Sequence, residues 1–195
     1  ANIQERLNKI LLDFEGDIDI LKEDIKKKLN ESWYWGDENT KNYLDDTNMY
    51  NFRVVNYILW RYENFLQNKG YSIQNFSIEN EQIEHISPKK PDNGVIENGY
   101  DIDENKNYDD EFESEYLHCI GNLMLISGSH NASIGNKPFT DKLESYNKNP
   151  LLNQQAEIKN FSKIENGLPV WKKESIDERH QKIVNFGVET WNFDK

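Results

Sequence analysis

Only two segments of this chain read as β-strand, residues 82–86 and Leu123–Ser127, so any sheet is small and helices must build the rest of the fold around it. In the first, Ile83 and Ile86 flank Glu84, and Pro88, which has no backbone N–H to give, ends the run. The second is the apolar run Leu123, Met124, Leu125 and Ile126, suited to be its partner. Elsewhere apolar residues recur at spacings of three and four, which places them on one face of a helix. Over residues 3–29 they are Ile3, Leu7, Ile10, Leu11, Phe14, Ile18, Leu21, Ile25 and Leu29, with Gly16 set to break or bend the stretch. Residues 32–47 are polar and aromatic, a loop or short helix anchored by Trp33 and Trp35. Phe52, Val55, Ile58, Leu59, Tyr62, Phe65 and Leu66 define a helix over 49–67, closed by Lys69-Gly70 as a C-cap. Residues 129–146 read as helix in two pieces broken near Pro138. The last helix spans 175–191, with Ser175 as N-cap and Glu178 completing a capping box.

These elements predict an α+β fold, a mainly α-helical domain enclosing a small β-β-α unit. Residues 1–70 form a helical region packed on a core from residues 71–195, in one compact domain. At 195 residues with 12% aromatic side chains, the chain can bury a real core despite a hydrophobic fraction of 36%. The one cysteine, Cys119, excludes an intramolecular disulfide and a multi-cysteine zinc site, and it reads as a small buried hydrophobe. No run approaches the roughly 20 apolar residues of a membrane span, and no signal peptide is visible, so the expectation is a cytoplasmic protein with no membrane partner.

The net charge of −12 opposes a nucleic-acid partner at first sight. The acidity is local, however: between Asp92 and Tyr116 ten acids face Lys106 alone, whereas residues 117–195 carry ten bases and nine acids. Residues 89–116, rich in Pro, Gly, Asn and Asp, read as a long surface loop or mobile insertion. They lack the ligand spacing of a calcium loop.

The order of polar residues around the two strands carries the chemistry. Glu84-His85 ends the first strand, Gly121-Asn122 precedes the second, and His130-Asn131 opens the following helix. Phosphodiester hydrolysis needs a base for water and a cation for the charge that builds on the phosphate and leaving oxygen. Histidine, with an unperturbed pKa of about 6.5, suits the first task. Adjacent strand residues point to opposite faces, so Glu84 and His85 address one point only if the strand end twists before Pro88. A carboxylate from Glu84 and an amide from Asn131, with water completing the shell, fit Mg²⁺ or Mn²⁺ better than zinc.

Glu-His-Ile-Ser-Pro (84–88), Gly-Asn-Leu-Met-Leu-Ile (121–126) and His-Asn-Ala-Ser-Ile-Gly-Asn-Lys-Pro-Phe-Thr-Asp-Lys (130–142) resemble the HNH, or His-Me finger, nuclease superfamily. The likeness is closest to the C-terminal domain of GmrSD-like modification-dependent restriction enzymes. It extends to Arg53–Glu63 and to Trp171, Ile176, Arg179 and Trp191, covering roughly residues 51–191. The resemblance implies a metal-dependent DNA endonuclease of restriction or phage defence, with a β-β-α metal finger. His85 would be the general base, and Asn122 the loop brace that orients it. Glu84 and Asn131 would be metal ligands, with His130 as the alternative ligand if the helix is rotated by one residue. Lys137, Lys142 and Arg179 are candidates for phosphate contacts. DNA, modified or not, is the implied partner, together with an amino-terminal sensing domain or a partner subunit. His118 and His180 read as structural or surface residues. Two rival readings stand beside this one: a non-catalytic binding or regulatory module that keeps the fold, and a ribonuclease.

Overall fold

The structure is a computed structural model, and it describes residues 3–31, 36–68, 80–91, 98–148 and 150–192. Leu44–Phe186 form one compact unit, while the chain up to Tyr43 and from Gly187 belongs to a second. In the second unit α1 (Ile3–Leu12) and α2 (Ile18–Asn30) pack on each other, and α3 (Asp37–Leu44) follows. The expected break falls where glycine permits it, for Gly16 has φ +102°. Asp17 then caps α2, accepting from the N–H groups of Asp19 and Ile20. Trp33, Trp35 and the Lys69-Gly70 cap lie outside the described residues.

The larger unit is built on β1 (Glu81–His85) and β2 (Leu123–Ser127), an antiparallel pair in the register Glu84↔Met124 and His85↔Leu123. The Ile86 N–H donates to the Asn122 carbonyl at 2.9 Å, carrying the pairing one residue past β1. Leu123, Met124, Leu125 and Ile126 are wholly buried, so β2 is covered on both faces. Helices α4 (Val55–Asn68) and α7 (Asn153–Phe161) pack against it. The chain turns from β2 directly into α5 (Gly128–Ile134), with the Ser127 hydroxyl accepting from the His130 N–H, and α5 packs on both strands. Gly135, at φ +47°, and Pro138 separate α5 from α6 (Phe139–Lys148), the expected break. Ile86, Met124, Ile126, Phe139, Tyr146, Trp171 and Ile176 belong to the core beside this pair. The fold is therefore α+β.

Four features depart from the sequence reading. Helix α7 turns Asn153, Gln154, Gln155 and Glu157 inward, and a polar buried face gives no hydrophobic period. Its amino end is held by the Glu63 carboxylate, which accepts from the Asn153 and Gln154 N–H groups and from Asn153 Nδ2. A hairpin of β3 (Lys163–Glu165) and β4 (Leu168–Val170) turns on Asn166-Gly167, both at positive φ, the dipeptide that two-residue hairpins favour. Helix α8 spans Lys173–Trp191, and Ser175 is not its cap, since its hydroxyl is buried without a partner among the described residues. Asp101 does the capping from a distance, accepting from the Lys173 N–H at 2.7 Å. The acidic stretch is not a plain surface loop: Tyr100, Tyr108 and Phe112 are buried, Tyr108 donates to the Pro88 carbonyl, and Phe112–Tyr116 form a π-helical turn. Among the described residues no helix is long and apolar enough to cross a membrane.

Candidate functional site

The carboxyl end of β1 is fastened to the turn that precedes β2. Asn122, fully buried in the turn Ile120–Asn122, accepts at Oδ1 from the Ser87 N–H (2.8 Å) and from Trp171 Nε1 (3.1 Å). Its Nδ2 donates to the carbonyls of Ser87 (3.1 Å) and Leu117 (3.0 Å), so the amide spends all its hydrogen-bonding capacity on holding two backbone segments together. The preceding Gly121 is required by close approach, since a Cβ there would lie 2.3 Å from the Ile176 carbonyl of α8. Arg179 of α8 completes the clamp, donating through Nη1 to the Ile120, Gly121 and Leu123 carbonyls and through Nε to Glu157.

Above this clamp, Glu84, His85 and Asn131 line one pocket of about 270 Å³, together with Tyr50, Ile83, Pro88, Lys89, Gly135, Asn136 and Lys142. The three residues expected to work together are thus brought together. Glu84 Oε1 accepts from Lys142 Nζ at 2.6 Å and from the Tyr146 hydroxyl at 2.9 Å, while Oε2 has no hydrogen bond among the described residues. Asn131 donates from Nδ2 to Gln82 Oε1 at 2.8 Å, which turns its own Oδ1 away from that contact. His85 sits against the Tyr50 ring, centroids 4.5 Å apart, and its Nε2 lies 3.1 Å from His118 Nδ1. His85 Nδ1 has no partner among the described residues.

Burial pushes the Glu84 carboxyl up, against the opposing pull of Lys142 and Tyr146, and pushes the Lys142 ammonium down. The same burial, with the charges of Lys89, His118 and Lys142, lowers His85 to about 3. His118 is lowered too, by burial and by Lys89. Both imidazoles are consequently neutral at neutral pH.

The remaining sequence candidates part company. Lys137 is exposed on the turn that follows Asn136, itself a lining residue of the pocket. Lys142 cannot meet a phosphate, because its side chain is wholly buried and its ammonium is divided among Glu84 and the carbonyls of His85 and Ile86. Arg179 is likewise interior and occupied by the clamp. Both are corrected from phosphate contacts to scaffold residues. His130 stands apart from the pocket, its ring nitrogens engaged by Ser145 and Gln155. His180 is buried on Asp45, and Cys119 is buried with its thiol pushed up to about 12, which leaves it inert.

Tyr50 and Lys89 line the pocket and were passed over by sequence reasoning, and His118, read there as structural or surface, lies against His85. Lys89 is exposed and lies 4.1 Å over the Tyr50 ring. The one signal for His118 was its place in the loop that carries Asn122, and Tyr50 offered none.

Hard divalent cations take oxygen ligands and keep several waters. Among the described residues no three His, Cys, Asp or Glu side chains converge on one point. The donors in the pocket are the uncommitted carboxylate oxygen of Glu84 and the amide oxygen of Asn131, an oxygen set whose chemistry suits a hard divalent cation better than zinc. None of the curated proteins and none of the solved structures matches the chain. The model of the family described as GmrSD restriction endonucleases, C-terminal domain, matches residues 34–186, which spans the strand pair, the Asn122 clamp and the whole pocket. The chain therefore belongs to the C-terminal domain family of the GmrSD restriction endonucleases.

Proposed function

We propose that this chain is a divalent-metal-dependent endonuclease of the HNH class that hydrolyses DNA phosphodiester bonds in restriction or phage defence. In this reading β1, β2 and α5 are its β-β-α metal finger. The observation that carries the proposal is the convergence of Glu84, His85 and Asn131 on one pocket, with Lys89 beside it and Asn122 bracing the strand end. His85, neutral and with Nδ1 uncommitted, takes a proton from water as the oxygen bonds to phosphorus and the 3′ oxygen departs. Glu84 and Asn131 would hold the cation, which when bound would supply positive charge to offset what gathers on the phosphate and leaving oxygen. Lys89 and Lys137 hold the DNA backbone. Asn122, buried away from the substrate, positions His85 through Ser87 and Ile86. A sensing domain or partner subunit supplies the choice of modified or unmodified DNA.

The test is cleavage of supercoiled plasmid, modified and unmodified, by the wild type and by His85→Ala with Mg²⁺ or Mn²⁺. Cutting that is abolished by EDTA and reduced about 100- to 10,000-fold in His85→Ala is expected, the scale on which loss of a general base is felt. Cutting that survives in His85→Ala overturns the assignment. The burial of Lys142 and Arg179 favours one second reading, a non-catalytic module that binds a basic partner, because it leaves the pocket few cations for DNA. Calorimetry separates the two: the nuclease reading requires Mn²⁺ binding that weakens in Asn131→Ala, and a module without chemistry shows none.

A further inference from the structure

We infer that His118 is the positioning residue for His85: its Nδ1 accepts the Nε2–H of His85 and so fixes the tautomer whose bare Nδ1 faces water. The inference rests on the nuclease reading and deepens it. The two rings meet at 3.1 Å between His85 Nε2 and His118 Nδ1, nearly at right angles, with their centroids 5.2 Å apart. One of these nitrogens must donate and the other accept. If His118 donated, His85 would carry its own proton on Nδ1 and would have no lone pair left for water, since Nε2 would be occupied. Only the arrangement in which His85 donates leaves it a base.

His118 is held firmly enough for the task. Its carbonyl accepts from the Tyr50 N–H at 3.0 Å, and its ring stacks on Tyr50 at 5.5 Å with 21° between the planes. Asn122 fixes the chain on both sides of it, donating from Nδ2 to the Leu117 carbonyl and from its backbone N–H to the Cys119 carbonyl. The same Asn122 holds Ile86 and Ser87 immediately after His85. One buried amide thus sets the spacing of both histidine-bearing segments. Metal-site histidines are oriented in the same way, by a partner on the nitrogen that does not do the chemistry.

The test uses the full chain labelled with ¹⁵N, with histidine ring spectra at neutral pH read beside kcat and KM on supercoiled plasmid in Mn²⁺. In the wild type the His85 ring proton is expected on Nε2. His118→Phe keeps a ring against Tyr50 but removes the acceptor. It should mix the two tautomers and lower kcat by about 10- to 100-fold with little change in KM. His118→Asn places an amide oxygen near the lost Nδ1. It should restore the Nε2–H signature and most of kcat, a recovery that a purely structural role would not give. The inference is overturned if the wild-type proton resides on His85 Nδ1, or if His118→Phe leaves the tautomer unchanged. Should the wild type fail to cut plasmid while the tautomer behaves as expected, the pairing stands and the nuclease reading falls.

Discussion

At the scale of single residues, the pocket is set by what burial does to charge. His85 is 6% exposed and has three cationic or imidazole neighbours, so its protonated form is disfavoured and its pKa falls to about 3. In an unfolded chain the same ring titrates near 6.5. Between these two values the unfolded chain binds more protons than the folded one. Stability from His85 is therefore fully present above pH 6.5 and is lost as the pH falls, at about 1.4 kcal/mol per pH unit in the steep part of the window. His118, also lowered, acts in the same direction, whereas Glu84, raised by burial, favours its protonated form and acts in the opposite one. A comparison with His85→Gln removes both, because they persist in the variant. Urea unfolding at pH 7, 6 and 5 should show the wild type losing stability faster than His85→Gln. Equal slopes would mean that the His85 ring binds its proton in the folded chain as readily as in the unfolded one.

At the scale of elements, the turn Ile120–Asn122 matters more than any one helix, because it is where α8 meets the strand pair. A methyl group at position 121 would sit 2.3 Å from the Ile176 carbonyl and 2.8 Å from His180 Cβ, and the first of these is backbone that cannot swing aside. Gly121→Ala should push α8 away from the turn, costing about 1–3 kcal/mol as overpacking does, and should lower activity further by loosening Asn122. Chemical denaturation reads the first effect and plasmid cleavage the second. Unchanged stability would show that α8 is not seated as described. The same junction explains what was legible in the sequence. Two strands, the helix break at Pro138 and the order Glu84, His85, Asn122, Asn131 could be read because period and order along the chain survive folding. The roles of Lys142 and Arg179 could not, because a cation on a helix looks the same whether it faces solvent or a buried carboxylate. Helix α7 was missed for a related reason: its inward face is Asn, Gln and Glu, with Glu63 of α4 holding Asn153 and Gln154, and Tyr62 of α4 and Arg179 of α8 holding Glu157, and no local pattern announces such distant partners. Tyr50 and His118 reach His85 only through tertiary contact.

At the scale of the whole molecule, the charge balance decides how DNA is held. A net charge of −12 gives no general attraction for a polyanion. The structure spends part of its acidity internally: Asp101 caps α8, and Lys173 at its start pairs with Asp109 (3.2 Å) and Glu111 (2.7 Å). Those pairs are exposed and contribute little stability, but they tie the acidic stretch to α8 instead of leaving it free. Tyr108 anchors the same stretch to the Pro88 carbonyl, immediately before Lys89. With Lys142 and Arg179 buried, Lys89 and Lys137 are the exposed members of the candidate cation set, so few counterions can be released on binding. The affinity of His85→Ala for a short duplex should accordingly fall only gently with salt, with a slope in log K against log[salt] of about −2, near −0.9 for each phosphate neutralised. Lys89→Ala should take about one from that slope, whatever the sequence of the duplex. A slope of about −6 or steeper would demand cations well beyond Lys89 and Lys137, and with them a different path for DNA. A shallow slope would leave discrimination between DNA substrates to contacts made outside this unit, since two phosphate contacts carry no sequence information.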